Sequence, residues 1–199
     1  MNNADHIREL QQRVSLYEDM KAYKELYNLF FDKLNWFCFS FTKSHEAAEE
    51  IVSDVFIKIW EIRNRLAEVD NLQVYLYTIA KNFCLNYITK NFKNPGVGLD
   101  EIDFEITAGF GNPEDLCISS DLVNKIKQTI HQLPPQCRLI FQMVKEDGLS
   151  YKEVAGILNL SVFTVRNQLA IAIRKLSRAL PGYSLSARTG KISPVLPAH

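Results

Sequence analysis

No glycine and no proline occurs before Pro95, although the 199-residue chain holds eight glycines and seven prolines. With apolar residues at 3.6-type spacing, that absence predicts several helices and no sheet in this half. No apolar run approaches the ~20 residues of a membrane span, so membrane insertion is not expected. The N-terminus is polar and carries no signal-peptide pattern. Neither charge is in excess, with 23 basic against 23 acidic residues, so nucleic-acid binding has to be sought locally. Cys38, Cys84, Cys117 and Cys137 are scattered, and His6, His45, His131 and His199 do not cluster. Buried thiols in a reducing cytoplasm are therefore expected, with no disulfide framework, metal site or cofactor. No glycine-rich phosphate loop and no nucleophile motif is present, so no catalytic residue is assigned. His45 with Glu46 or Glu49 makes no catalytic constellation, and the chain is not expected to be an enzyme.

What is present is clearest from Leu149 to Leu180, which reads as a helix, a tight turn and a second helix. Ser150 is placed to cap the first helix and Ser161 the second, by accepting from orphan backbone N–H groups. Val154, Ala155 and Leu158 form the buried side of the first, and Asn159 and Leu160 make the turn. At 100° per residue, Val162, Val165, Leu169, Ala172, Ile173, Leu176 and Leu180 form the buried stripe of the second. Phe163, Thr164, Asn167, Ala170, Ile171, Arg174 and Arg178 face the other way. From Ser161 to Leu180 the charged residues are Arg166, Arg174, Lys175 and Arg178, with no acid. A helix of this kind suits the DNA major groove, where neutralised phosphates release counterions. Thr164 and Asn167 suit base edges, and Arg174 and Arg178 suit phosphates.

The chain reads as two helical modules joined by a tether. Asn94-Pro95-Gly96-Val97-Gly98 breaks the helical pattern. Leu99 to Asp115 is acidic and poorly periodic, and reads as a flexible linker. Helical pattern resumes near Cys117 to Gln132 and again from Pro135 to Lys145, with Pro135 suited to a first helical turn. Asp147-Gly148 closes that helix. Beyond Pro181 the tail reads as disordered.

Two segments of the first module differ in character. Between Ala47 and Trp60, apolar pairs recur every four residues: Ala47/Ala48, Ile51/Val52, Val55/Phe56, Ile59/Trp60. Such a band winds about 40° per turn, more than one neighbouring helix covers, so part of it is expected in the core and part against a partner. Glu46, Glu49, Glu50, Asp54 and Glu61 border it, which fits a basic helical surface. The plain alternative is a core helix with a solvated acidic edge. Asn71 to Leu99, by contrast, has no acid, and carries Lys81, Lys90 and Lys93 among Tyr75, Tyr77, Phe83, Tyr87 and Phe92. Leu76, Ile79, Ala80, Phe83 and Tyr87 project as its buried side. Thr78, Lys81, Asn82, Asn86 and Thr89 project as a polar side suited to unpaired nucleic acid. The preceding Asn64–Asn71 reads as a loop that could form a pocket for an extruded base.

In this order, Ala48-Glu49-Glu50-Ile51-Val52-Ser53-Asp54-Val55-Phe56-Ile57-Lys58-Ile59-Trp60, Tyr75-Leu76-Tyr77-Thr78-Ile79-Ala80-Lys81-Asn82, Leu133-Pro134-Pro135-Gln136-Cys137-Arg138, Gly148–Ala155, Ser161 and Thr164-Val165 resemble the extracytoplasmic-function sigma factors. These are small two-domain members of the sigma-70 family of bacterial RNA polymerase subunits. The resemblance covers roughly residues 20–180. It implies an all-α fold: residues 1–93 a sigma region 2-like domain, 94–116 the acidic linker, 117–181 a sigma region 4-like helix–turn–helix domain, and 182–199 a disordered tail. It implies that Glu50, Asp54, Val55, Phe56, Ile59 and Trp60 bind the clamp helices of the largest subunit of core polymerase. It implies that Arg65, Asn71, Tyr75, Thr78, Lys81, Asn82 and Asn86 engage and help melt the −10 element, one non-template base being captured. Ser161, Phe163, Thr164, Arg166, Asn167, Ala170, Arg174 and Arg178 would bind the −35 duplex. The linker would thread near the active-site cleft, and an anti-sigma factor is a further implied partner. Ile171 and Ile173 depart from the family, which often has arginine nearby. The competing expectation is a helix–turn–helix regulator that binds duplex as a dimer through an N-terminal sensing or dimerisation domain.

Overall fold

The computed structural model describes residues 3–91, 120–179, 183–185 and 192–194, and divides the chain into two units, Met1–Val97 and Gly98–His199. In the first unit the breaker-free sequence forms α1 (Asn3–Tyr17), α2 (Met20–Thr42), α3 (His45–Glu61), a 3-10 helix (Arg63–Glu68) and α4 (Leu72–Asn91). Without glycine or proline, reversals use other residues. Glu18 and Lys43 adopt left-handed backbone, with φ of 49° and 58°. Asp19 caps α2 by accepting from the Lys21 and Ala22 amides at 2.8 and 3.2 Å. Ser44 caps α3 by accepting from Ala47 at 3.2 Å.

α2 is the spine of this unit and packs on α1, α3 and α4. Its Leu26, Phe30, Leu34, Phe37 and Cys38 are buried, and Phe37 meets Tyr77 of α4 edge-on at 4.9 Å. Each such large apolar side chain contributes about 1.5–3 kcal/mol on full burial. Cys38 lies against Cys84 in this core, and that contact together with burial pushes the Cys38 thiol well up. Cys38, Cys84 and Cys137 are buried thiols; Cys117 lies outside the described residues.

The buried side of α4 differs from the sequence projection. Leu72, Leu76, Tyr77, Ala80 and Cys84 are buried, whereas Ile79, Phe83 and Tyr87 are half-buried. Apolar residues surround this helix, so periodicity alone does not choose a stripe. The rings of α2 choose it, by enclosing Tyr77 completely.

The second unit holds α5 (Ser120–His131), α6 (Pro135–Lys145), α7 (Tyr151–Leu158) and α8 (Val162–Ala179). Pro135 opens α6 as expected. Gly148, at φ 74°, makes the reversal towards α7 that an L side chain would strain. Arg138 is buried and donates to the His131 and Leu133 carbonyls, closing the end of α5 onto α6. α8 packs on α5, α6 and α7. The proposed linker, residues 94–116, lies outside the described residues, as does Leu180. Part of the tail expected to be disordered instead forms two strands, β1 (Tyr183–Leu185) and β2 (Ile192–Pro194), paired antiparallel with Tyr183 opposite Pro194. Each is a three-residue apolar–polar–apolar alternation, too short to register as a strand in sequence. Among the described residues no single helix is long and apolar enough to cross a membrane, and no group of three or more metal-ligating side chains is assembled.

Candidate nucleic-acid and partner-binding surfaces

On α3 the winding apolar band is covered within the chain. Ala47, Ala48, Ile51, Val52, Val55, Phe56 and Ile59 are all buried, because α2, α4 and the 3-10 helix share the work of covering it. Trp60, the last residue of the band, stays partly exposed, so the correction applies to Val55, Phe56 and Ile59, which were expected at a partner and are core. Val55, Phe56 and Ile59 are 0%, 3% and 1% exposed and hold the helix in place. Phe56 packs on Tyr27 at 4.7 Å, and its carbonyl accepts from the Tyr23 hydroxyl at 2.7 Å. Trp60 is half-buried between the Tyr23 ring at 5.0 Å and the Arg63 guanidinium at 4.9 Å. Glu50 and Asp54 are exposed, on a surface shared with Glu46, Glu61 and Ile57. Ile57, 57% exposed, is the residue that sequence reasoning passed over. Its signal was phase: it stands opposite the buried band, among the acids.

The predicted pocket loop is the 3-10 helix Arg63–Glu68, held from behind by α1. Arg8 donates to the Val69 carbonyl at 2.9 Å, and Ser15 to that of Asn64 at 3.1 Å. Gln11, 2% exposed, donates to the carbonyls of Leu66 at 3.1 Å and Val69 at 3.0 Å. On the other side an open cleft of about 260 Å³ is lined by Ile62, Arg65, Glu68, Val69 and Tyr75. Arg65 pairs with Glu68 at 3.2 Å, both highly exposed. The cleft brings two predicted residues together, a cation, Arg65, and a half-buried ring, Tyr75.

The polar face of α4 continues from that cleft. Asn71 caps the helix, its Oδ1 accepting from Val74 at 3.1 Å, so that oxygen is already engaged. Thr78 donates back to the Val74 carbonyl at 2.8 Å. Asn71, Thr78, Asn82 and Thr89 lie opposite the buried stripe, with Tyr75 and Asn86 alongside. Lys81 sits on the flank instead, half-buried, and desolvation holds its ammonium pKa below the usual lysine value.

In the second unit the helix–turn–helix forms as the sequence indicates. Ser150 and Glu153 make a reciprocal capping box at 3.3 and 2.7 Å. Asn159, at φ 57°, ends α7 in the left-handed conformation. Ser161 starts α8 by accepting from the Thr164 amide at 2.9 Å, and its hydroxyl meets that of Thr164 at 2.8 Å. The two helices meet at a bend of 109°, within the ~90–120° of this motif. Val165, Leu169, Ala172 and Leu176 are the buried stripe. Val162, 36% exposed, and Ile173, half-buried, fall outside it, because both lie at its edges. Phe163, Arg166, Asn167, Ala170, Ile171, Arg174 and Arg178 are exposed. Lys175 and Arg178 also line an open groove of about 370 Å³ with Thr129 of α5 and Gln132 just past its end.

Residues 26–93 match the family description "Sigma-70 region 2", and residues 124–176 match "Sigma-70, region 4". Together these cover more than half of the chain. The ECF RNA polymerase sigma-E factor of Escherichia coli (strain K12) is 31% identical over 127 residues, spanning 60% of this chain and 66% of that relative. The ECF RNA polymerase sigma factor SigW of Bacillus subtilis (strain 168) is 29% identical over 174 residues, 81% of this chain and 92% of the relative. Two solved structures share the fold. CnrH, in complex with the cytosolic domain of CnrY, has a TM-score of 0.51 at 19% identity, covering 87% of this chain and 96% of CnrH. The sigma factor RpoE of Bartonella quintana, in complex with the anti-sigma factor NepR, has a TM-score of 0.53 at 21% identity, covering 80% and 97%.

Proposed function

Because the chain belongs to the extracytoplasmic-function sigma factors of the sigma-70 family, we propose that it directs core RNA polymerase to promoters through three surfaces on its two helical units. The exposed acidic face of α3, with Glu50, Asp54 and Ile57, docks on a basic helical surface of the polymerase clamp. The polar face of α4 tracks the melted −10 strand, and the Arg65–Tyr75 cleft receives an extruded base. α8 enters the major groove of the −35 duplex. The chain carries no chemistry of its own and acts in the cytoplasm, where an anti-sigma factor restrains it.

The observation that carries this reading is α8: a capped helix whose exposed face is basic, acid-free and studded with an amide, in the segment that matches region 4. Counterion release favours phosphate over any acidic partner there. The test is transcription in vitro with purified core polymerase on genomic promoter fragments. The expected result is initiation from a discrete subset of fragments only when this chain is added. Tight symmetric binding to duplex by the isolated chain, with no polymerase-dependent initiation, would overturn it in favour of a dimeric regulator.

A further inference from the structure

The face of α8 that carries Asn167 is also apolar at three places. Phe163 is 69% exposed, Ile171 is 37% exposed, and Ala170 is exposed beside it. At i, i+4, i+7 and i+8, Phe163, Asn167, Ala170 and Ile171 share one face. None of the three apolar residues belongs to the buried stripe of the helix. From Phe163 to Ile171 the helix rises about 12 Å, the length of three to four stacked base pairs. Phe163 stands in the first turn, the part of a recognition helix that meets base edges. An apolar ring there is mismatched to phosphates and to hydrogen-bonding base edges. The apolar group that the major groove offers is the C5-methyl of thymine.

We infer that Phe163, Ala170 and Ile171 form an apolar stripe that reads thymine methyl groups in the −35 duplex, with Asn167 supplying the hydrogen-bonded contact between them. This rests on the assignment of α8 to the −35 element and deepens it. The same helix carries Arg166, Arg174 and Arg178 and no acid, so the stripe is continuous with a surface suited to phosphates. A protein covering the stripe would have to accept those cations as well.

The test uses holoenzyme, core polymerase with this chain, and a randomised −35 duplex library synthesised once with thymine and once with uracil. Uracil keeps every hydrogen-bonding group of thymine and lacks only the methyl. The expected result is enrichment of thymine at one or more positions, reduced about fourfold per position in the uracil library, the worth of one buried methyl-sized group. Phe163→Ala and Ile171→Ala should flatten the thymine–uracil difference, while Asn167→Ala should leave it in place. Both apolar residues are exposed, and unchanged thermal melts of the variants verify that the unit remains folded. Identical enrichment from the two libraries would overturn the methyl reading and leave α8 as the −35 reader. No enrichment from either would overturn both.

Discussion

The Nε2 of Gln11 lies 3.1 Å from the carbonyl oxygen of Leu66, fifty-five residues away in sequence. Gln11 also reaches Val69, so one buried amide fixes both ends of the last turn of the 3-10 helix. α1 precedes the segment that matches region 2, yet it braces the 3-10 segment whose residues line the cleft proposed to take a base. Gln11→Leu removes one of the donors to each carbonyl, while Arg8 still reaches Val69 and the Val69 amide still reaches Leu66. The cost is expected at about 1–3 kcal/mol, or a fall of several degrees in the melting temperature of this unit. Proteolysis between residues 62 and 71 should accelerate, and holoenzyme should lose affinity for a −10 single strand while keeping its −35 preference. An unchanged melt with unchanged proteolysis would show that the strut is dispensable.

On α3 the candidates for partner contact fall into two classes. Asp54 is exposed and holds no part of the core, so Asp54→Arg should weaken core polymerase binding while leaving the melt within about 0.5 kcal/mol of wild type. Ile57→Ala should do the same. Trp60 is engaged by Tyr23 and Arg63, and Phe56→Ala removes a buried ring worth about 3–5 kcal/mol. Trp60→Ala and Phe56→Ala should therefore be read mainly as folding variants. Pull-down with core polymerase, run beside thermal melts, separates the two classes; normal binding by Asp54→Arg would remove α3 from the interface.

Lys81 links stability to binding. Burial lowers its folded-state pKa, so the charged form is disfavoured in the folded unit relative to the unfolded chain. The unfolded state therefore binds more protons between the depressed folded value and the unfolded value of ~10.4. The penalty is fully present below the folded value and is relieved as pH rises through that window. Lys81→Gln should raise the melting temperature at neutral pH and flatten its rise towards alkaline pH. The same change should weaken binding to a −10 single strand and lower its salt dependence. A variant that melts lower and binds normally would contradict both parts.

Asn167 and Arg178 divide α8 between sequence and backbone. Asn167 lies in the second turn, where an amide meets a base edge and discriminates by about 1–3 kcal/mol. Arg178 lies three turns further on, beside Lys175, and suits phosphate. Asn167→Ala should change which −35 sequences are preferred. Arg178→Ala should weaken all of them and reduce the salt slope by about one. Holoenzyme binding across a −35 library at several salt concentrations gives both quantities, and exchanged phenotypes would mean that the helix lies in the groove the other way round.

The sequence alone determined the helix–turn–helix, its caps and its exposed face, because these are local. Ser150, Glu153, Asn159 and Ser161 act within four residues of the backbone they satisfy, and α8 has a single buried stripe. It also determined the all-α character of the first module, through the lack of breakers before Pro95. Only the tertiary structure decided which stripe of α4 is buried, since apolar residues surround that helix and the rings of α2 make the choice. It decided that Val55, Phe56 and Ile59 are core, because coverage of a winding band depends on how many neighbours arrive. It brought Gln11 to Leu66 and Val69, a contact between residues whose separation along the chain leaves no periodic trace. Periodicity records what one element does to its own backbone and faces; the choice among equivalent faces is made by packing with elements distant in sequence.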